Sequence, residues 1–326
     1  MYQQLVSYLD GIPFFHSSVF GIISLVFLGL SWCLVGAIAG NAPKKNIRME
    51  HLLLSGGLIA ALIIFIFMLI SGVSYTSNTP KIALYLTLAA FFASGVCCYF
   101  QHVLTSRAMQ NGPNGVIWAL TQSAMIFPFI AGIVFYGVKF TILRLAGIIL
   151  VLAALVIFGG TKEHGSSSGK GKWKLDAFTV LIVISFSQVV TSLPFYYKET
   201  EGISAPLCIC SMMLGYAAAA AALMAPKMDK VALLEFKNAV CRRDFRVYCI
   251  LLLPTAAVIA VILEIPGMRA MADNGLGGMS FPLMVGSCIC GFSLYSAVVL
   301  KERFKAAELV ALAFCIGGLC MLCIAA

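Results

Sequence analysis

Charged side chains are scarce in this chain. Asp, Glu, Lys and Arg make up 11% of its 326 residues, whereas roughly 25% is typical of a soluble globular domain. Hydrophobic residues make up 61%, and residues 52–72 carry no formal charge. About 20 such residues cross the ~30 Å hydrocarbon layer of a bilayer. The composition excludes an ordinary soluble protein and predicts an all-α integral membrane protein with several crossings.

Several chemical motifs are missing as well. The stretch GSSSGKGK at 165–172 has neither the spacing nor the final hydroxyl of a phosphate loop, so ATP-driven chemistry is not expected. No H-E-x-x-H motif or similar cluster of His and acids occurs, so we expect no enzyme, metal or cofactor. A basic stripe interleaved with aromatics is absent, which excludes nucleic acid as a partner. The N-terminus lacks a basic signal region, so the first apolar helix is expected to be retained.

Cysteine, by contrast, is plentiful, with 12 residues that lie mostly inside apolar runs. The C-x-C pairs at 208/210 and 288/290 point in different directions on a helix, because neighbours on one face are three or four residues apart. Cys320 and Cys323 can share a face, but no His or acid accompanies them. The pattern favours small, buried packing residues over a metal site or disulfides.

Ten apolar segments occur along the chain. They cover roughly 17–40, 51–72, 82–105, 115–136, 140–160, 175–196, 204–225, 247–268, 278–300 and 306–325. A Gly/Ser/Lys stretch at 161–174 has no apolar periodicity and is typical of a flexible linker. It divides the chain into a first half (1–160) and a second half (175–326) of five segments each.

The two halves contain nearly the same phrase. SRAMQNGPNG at 106–115 ends the third segment, and MRAMADNGLGG at 268–278 ends the eighth. Gly, or the Asn before it, supplies the left-handed conformation that closes a helix, so the phrase has a local role as well. Because each half has an odd number of segments, the second copy enters the membrane in the opposite sense. The recurrence therefore predicts an inverted-topology repeat, an architecture found in secondary transporters.

Loop charges predict the orientation. Of the 22 Lys and Arg residues, 17 lie in the loops after the first, third, fifth, seventh and ninth segments. Basic loops face the cytoplasm, so we expect 41–50, 161–174 and 226–246 to be cytoplasmic and both termini to lie outside the cell membrane. Within the largest of these loops, VALLEF at 231–236 fits either a short interfacial helix or a solvated loop.

The C-terminal stretch LYSAVVLKERFKAAELVALAFCIGGLCMLCIA resembles the end-of-domain pattern of the drug/metabolite transporter superfamily, in its ten-helix form with two EamA-like halves. Glu302 occupies the acidic turn of that pattern, and Gly317-Gly318 follow it. The first half matches more loosely, with Val138-Lys139 where the acid would stand. Many ten-helix members have cytoplasmic termini, which the loop charges here contradict. NAPKKNIRME at 41–50 is similar to a loop of the superfamily's rhamnose and sugar-uptake branch.

Two ionisable residues lie well inside the apolar segments, His102 and Glu264. Each stands five residues before the Arg of its Arg-Ala-Met phrase, so the repeat makes them equivalent positions. Pro266 frees a backbone carbonyl and breaks or kinks the helix beside Glu264. A carboxylate next to an interrupted helix is a recurrent transporter site. Both residues remain open to a structural interpretation, in which they hydrogen-bond and pack.

Other polar residues form stripes at helical spacing, and a polar stripe in lipid must face protein or water. The further candidates for binding solute or protons are Gln101, Tyr99, Gln188, Gln122, Thr121, Trp118 and Trp32. They predict a central cavity between the first, third, fourth, sixth, eighth and ninth segments. Hydroxyl groups alone could instead join helix to helix.

These features predict a secondary active transporter for a small polar organic solute, a sugar or other metabolite, coupled to an ion and most simply to H+. The resemblance leaves open an exporter of drugs, amino acids or other metabolites in the same fold. A non-transporting membrane scaffold or receptor is the remaining alternative, in which the polar stripes are incidental. The bilayer, the solute and the coupling ion are the expected partners.

Overall fold

A computed structural model describes residues 13–72, 79–136, 141–160, 172–192, 203–227, 229–276 and 280–324. Within these residues the chain is helical and contains no strand. Seven helical stretches are long and apolar enough to cross a membrane, and three shorter apolar helices accompany them. The predicted class, an all-α membrane-embedded protein, is confirmed. The 161–171 part of the linker lies outside the described residues.

Thirteen α-helices and one π turn make up the fold of the described part. They are α1 (Ser18–Asn41), α2 (Met49–Ser71), α3 (Lys81–Asn111), α4 (Asn114–Gln122), α5 (Ile126–Tyr136), α6 (Ile142–Gly160), α7 (Lys172–Ser192), α8 (Ala205–Met224), α9 (Lys230–Cys241), α10 (Arg243–Ile259), the π turn (Ala260–Glu264), α11 (Ile265–Asp273), α12 (Ser280–Val298) and α13 (Ala306–Ile324). Each predicted apolar segment overlaps one of these helices or a consecutive pair.

Local sequence accounts for several helix ends. Ser17 precedes α1, and its hydroxyl accepts a hydrogen bond from the Phe20 N–H at 3.2 Å. Asp229 caps α9 in the same way, accepting from the Ala232 N–H at 2.7 Å. At the other end of a helix, Gly72 adopts a φ of 65° and stops α2, a conformation that costs glycine little. Short polar residues and glycine thus set the boundaries that hydrophobicity alone leaves open.

The helices pack mainly across the two halves of the chain. α6 lies along α13, α3 lies between α7 and α8, and α2 packs against α8 and α10. α1 packs against α12 and α11, α4 packs against α12, and α5 packs against α7. Because these contacts join early to late segments, the two halves form one packed body rather than two separate bundles.

Small residues allow the closest of these helix crossings. A Cβ atom added to Gly95 of α3 would lie 2.0 Å from the Met212 carbonyl oxygen of α8. One added to Gly215 of α8 would lie 2.2 Å from the Phe92 carbonyl oxygen. Each glycine therefore admits the backbone of the other helix, which is the packing expected between helices in a membrane.

The predicted basic loops meet at one end of the helices. Lys45 contacts Asp244 at 3.2 Å, and the Arg242 guanidinium donates to the Lys45 carbonyl at 2.9 Å. The hydrogen bond to Asp244 raises the pKa of Lys45 above its usual range. Ser106 near the end of α3 donates to the Ala39 carbonyl near the end of α1 at 2.7 Å, which brings these two loops together.

The opposite end contains the loop after α11 and the residues before α1. There the Asn274 side chain donates to the His16 carbonyl at 2.6 Å, and Asp273 lies 3.7 Å from the His16 ring. The loops after the first, third and seventh segments thus lie at one end, and the loop after the eighth segment lies at the other. Which end faces the cytoplasm stays a prediction.

Candidate functional site

Glu264 lies where the eighth apolar segment changes its helical form. α10 ends at Ile259, the residues Ala260–Glu264 form the π turn, and α11 begins at Ile265. Pro266 occupies the first turn of α11 and has no N–H to donate. Such wide turns interrupt the regular hydrogen-bond pattern and are frequent at functional sites. The π turn therefore interrupts the regular α-helical hydrogen bonding just before Pro266, within a helical stretch that continues from Arg243 to Asp273.

The Glu264 side chain is half-buried, and it has no hydrogen bond or ion pair to any residue that the structure describes. An ionised acid near the centre of a membrane helix costs at least ~2.5 kcal/mol on insertion scales. A proton, a cation or a solute with hydrogen-bond donors would remove that cost. Glu264 is therefore available to bind each of these.

α1 passes close to this interrupted helix. It packs against both the π turn and α11, and a Cβ atom on Gly267 would lie 3.0 Å from the Ser24 side chain. On the α1 side, a Cβ atom on Gly21 would lie 2.7 Å from Met271. The two helices are in backbone contact one turn beyond Glu264, so its environment depends on how α1 and α11 are placed.

His102 has a different setting. It is buried in the regular helix α3, and its Nδ1 lies 2.7 Å from the Cys98 carbonyl oxygen. Because a carbonyl only accepts, this nitrogen carries the hydrogen and donates it. The ring also meets the edge of the Tyr216 ring at 5.5 Å between centroids. These contacts correspond to the structural interpretation of His102, which the sequence left open.

Trp118 is part of a packed aromatic group between α1, α4 and α12. Its ring lies 5.3 Å from the Phe292 ring, and its Nε1–H donates to Cys288 Sγ at 3.2 Å. A Cβ atom on Gly36 of α1 would meet both rings within 3.0 Å. Thr121, one turn along α4, donates to the Ile117 carbonyl at 2.9 Å. Both candidates are buried and already have partners.

The remaining candidates differ in exposure. Gln101 and Tyr99 are buried on α3, and Tyr99 faces a cavity away from Trp118. Gln122, Gln188 and Trp32 are half-buried, as Glu264 is. No described hydrogen bond joins any of these side chains to Glu264. The structure does not bring these polar positions together in one constellation.

Two further polar positions were missed. Ser187 of α7 lies 2.6 Å from Ser94 of α3, hydroxyl to hydroxyl, and 3.4 Å from Cys98 Sγ. Ser185, two residues earlier on α7, differs because its hydroxyl donates within its own helix to the Leu181 carbonyl. Small residues facing each other at a helix crossing were the signal for Ser187.

The second is Glu302, which was identified as a turn residue but not as a helix cap. Its carboxylate accepts from the Asn114 N–H at 2.9 Å, the Asn114 side chain at 2.7 Å and the Gly115 N–H at 3.1 Å. The Ser296 hydroxyl donates to it as well. An acid at a helix N-terminus satisfies free N–H groups and complements the helix dipole. Glu302 thus caps α4 from the loop after α12, a contact invisible in the local sequence of either segment.

The cysteines have no metal-binding arrangement in the described residues. The 11 whose side chains are described are free, and no group of three or more His, Cys, Asp or Glu side chains in that part of the chain could hold an ion. Several of them pack against other helices, as Cys33 does, 3.4 Å from the Cys288 carbonyl. Their role as packing residues agrees with the sequence interpretation.

Comparison with known proteins supports the fold only. No protein-family model and no curated protein sequence matches the chain. A solved structure described as "Crystal structure of protein" is similar to it at 14% sequence identity and a TM-score of 0.51. The similarity covers 95% of this chain and 96% of that one. The whole helical arrangement therefore has a known counterpart, and the comparison assigns no activity.

Proposed function

We propose that the protein is a secondary active transporter for a small polar organic solute, a sugar or other metabolite, driven by a proton gradient. The half-buried, unpaired Glu264 at an interrupted membrane helix is the observation that supports this best. Backbone and side-chain groups at such breaks bind substrates and coupling ions in transporters. The likeness of the C-terminal stretch to the drug/metabolite transporter superfamily supports the same function, and in that superfamily export of metabolites or drugs is the alternative direction.

The pattern of helix packing supports ten crossings in two inverted repeats. Numbering the apolar segments in chain order, the first packs against the ninth and the fourth against the sixth. The third packs against the sixth and seventh, and the eighth packs correspondingly against the first and second. When the two halves are exchanged, each of the packing pairs second–seventh, fourth–ninth and fifth–tenth becomes itself again. Exchange of the two halves thus maps each of these main packing pairs onto itself or onto another main pair, as a twofold pseudo-symmetry requires, whereas the smaller contacts of α3 with α1 and α2 have no counterpart of similar extent.

The proposed mechanism uses the charge of Glu264. When Glu264 is ionised, the desolvation cost favours uptake of a proton from whichever side is open. When Glu264 is protonated, the neutral site with its bound solute can become open to the other side of the membrane. Release of the proton and the solute on that side resets the site. α1 and α11, which are in contact beside this site, are the elements that would move against each other in alternating access.

Glu264→Gln tests the proposal in proteoliposomes loaded with a library of polar metabolites. Gln keeps the size and hydrogen bonding of a protonated Glu but cannot change charge. We expect solute accumulation driven by a pH gradient to fall to the level of empty liposomes, while exchange of solute at equal concentrations continues. Glu235→Gln, an exposed acid on α9, is the matched control. Gradient-driven uptake by Glu264→Gln with wild-type pH dependence would contradict the proposal.

The loop charges support a cytoplasmic location for the end that carries Lys45 and Arg242. Cysteine-accessibility labelling should place 41–50, 161–174 and 226–246 in the cytoplasm, with Met1 and Ala326 outside. Lys44→Cys and Asp273→Cys form a matched pair, because both positions are exposed and they lie at opposite ends. Labelling of Lys44→Cys from outside intact cells would reverse the orientation.

A further inference from the structure

A cavity of about 210 Å³ lies at the junction of α2, α3, α8 and α9. Polar walls come from the start of α2, with Arg48, Glu50 and His51, and from Tyr99 of α3. The apolar walls include Phe100 and Leu223. The cavity is separate from the Trp118 group and from Glu264, and it lies at the end of the helices where the basic loops meet.

The N-terminus of α2 faces this cavity without a side-chain cap. Arg48 precedes the helix, and its side chain makes no capping hydrogen bond to the first N–H groups. Free N–H groups and the helix dipole favour a phosphate or other anion at such a place. Arg48 adds a charged group with several donors, and its only ion pair in the described part is a long one, 4.0 Å to Glu50. The start of α2 therefore offers donors for a phosphate.

Tyr99 gives an independent indication of a ligand. Its side chain is only 3% exposed, yet its hydroxyl has no hydrogen-bond partner among the residues that the structure describes. The hydroxyl is thus free to donate a hydrogen bond to a group inside the cavity. Because Tyr99 lines the cavity, a bound polar group there would satisfy the hydroxyl.

Glu50 makes the site zwitterionic rather than simply basic. Its side chain is 30% exposed and lies beside Arg48 at the cavity. A simple anion would meet repulsion from this carboxylate. A ligand carrying both a phosphate and an ammonium group would instead pair with both residues.

The apolar rim indicates where such a ligand comes from. Phe100 is 39% exposed and Leu223 is 45% exposed, and both belong to helices that cross the membrane. Above them, α9 contacts α2 through the Phe236 ring, 5.0 Å from the His51 ring. Three large apolar side chains of α9, those of Val231, Leu233 and Leu234, are more than half exposed. Such a helix lies in the membrane interface, so the cavity opens at the depth of lipid headgroups.

We propose that this cavity binds the headgroup of phosphatidylethanolamine. The phosphate accepts hydrogen bonds from Arg48, the Tyr99 hydroxyl and the start of α2, and the primary ammonium donates to Glu50. The acyl chains lie along Phe100 and Leu223. Phosphatidylcholine fits less well because its trimethylammonium has no N–H to donate. Phosphatidylglycerol fits less well because it has no ammonium. This site is independent of the proposed transport function.

Native mass spectrometry of the delipidated protein titrated with each of the three lipids tests the assignment. We expect phosphatidylethanolamine to bind about tenfold more tightly than the other two, which is the effect of one charge-assisted hydrogen bond. Glu50→Gln should remove the preference for it over phosphatidylcholine. Arg48→Gln should weaken binding of all three lipids. Tyr99→Phe, which keeps the ring and the packing, should weaken phosphatidylethanolamine binding about threefold to tenfold.

Lys44→Gln is the matched control, because Lys44 is exposed at the same end and does not line the cavity; it should bind lipids as wild type does. Equal affinity of the wild-type protein for the three lipids would overturn the proposal. So would an unchanged preference in Glu50→Gln. Soluble phosphoethanolamine is the second probe. Displacement of the lipid by it at equimolar concentration would assign the cavity to a soluble solute and overturn the lipid as its occupant.

Discussion

His102 and Glu264 each stand five residues before an Arg-Ala-Met phrase in the sequence, but their surroundings in the structure differ. His102 sits in the unbroken helix α3 and donates to the Cys98 carbonyl. Glu264 sits at the end of a π turn before Pro266 and has no described partner. The comparison shows that the same place in the repeated sequence has two different structural settings. A residue whose bonds are all made contributes to stability, whereas one without partners is free to change its protonation state or ligand.

Restoring a regular helix at Pro266, beside the second copy of the phrase, should have the largest effect on transport. In Pro266→Ala, the new N–H can donate to a carbonyl one turn earlier, so the π turn is expected to revert to α-helix. We expect transport to fall to the level of empty liposomes. The free energy of unfolding in detergent should rise by about 1 kcal/mol or more. Uptake assays and melting curves on the same preparation check this.

Pro254→Ala provides the control for that change. Pro254 lies inside α10, and the Thr255 hydroxyl donates at 2.9 Å to the Ile250 carbonyl that this proline leaves free. Its removal should affect transport much less than that of Pro266. Wild-type transport by a stabilised Pro266→Ala protein would show that the interrupted helix has no role in transport.

At the first copy, His102→Gln should lower stability more than transport. The variant loses a buried hydrogen bond and the ring contact with Tyr216, at a cost of about 1–3 kcal/mol. Transport per folded molecule should remain within a few-fold of wild type, because no step of the mechanism uses this ring. Melting temperature and uptake normalised to folded protein are the two measurements. A stable His102→Gln protein that has lost pH-dependent uptake would instead place His102 beside Glu264 in the mechanism.

Replacing the Arg residues of the two phrases should produce a smaller difference, in stability alone. Arg107 makes a two-pronged pair with Asp176, with Nε to Oδ2 at 2.8 Å, and the Asp176 side chain is only 8% exposed. Arg269 is exposed and has no described partner. Arg107→Gln leaves a buried acid unpaired, so we expect a loss of about 1–2 kcal/mol. Arg269→Gln should change stability by less than about 0.5 kcal/mol. Equal melting temperatures for the two variants would contradict the expected difference in stability.

Much of the helical pattern was predictable, because hydrophobic length and helix-ending residues are local properties. In both copies of the phrase the Ala and Met are buried: Ala108, Met109, Ala270 and Met271 are at most 3% exposed. The Asn of each copy closes its helix by donating to a carbonyl four residues earlier, Asn111 to Arg107 and Asn274 to Ala270.

The same phrase also contains a wrong prediction. Gly275 has the left-handed φ of 72° that the phrase predicts, but Gly112 is extended at −143°. At Gly112 the requirement is space, since an added Cβ would lie 2.7 Å from the Trp173 ring. Trp173 is 61 positions away in the chain, so no local pattern could reveal that need.

The candidate site was predictable only at Glu264, where an acid and a proline stand close in sequence. His102 contacts the Tyr216 ring of α8 and Trp118 donates to Cys288 of α12, and only the crossing geometry decides that these faces meet. The short helix α9 was left open between helix and loop for a related reason. Its Asp229 cap and apolar content fit a helix, and its contact with α2 through Phe236 and His51 comes from a distant part of the chain.

The Glu302 cap has a consequence for synthesis of the chain. The N-terminus of α4 at Asn114 receives its carboxylate from a residue 188 positions later. At roughly 5–20 residues per second, the ribosome needs about 10 to 40 s to make that interval. During this time the start of α4 must rely on water, lipid headgroups or the insertion machinery for its free N–H groups. The last loop of the protein therefore completes a helix of its first half, and a chain truncated before Glu302 leaves the nascent membrane segment unfinished.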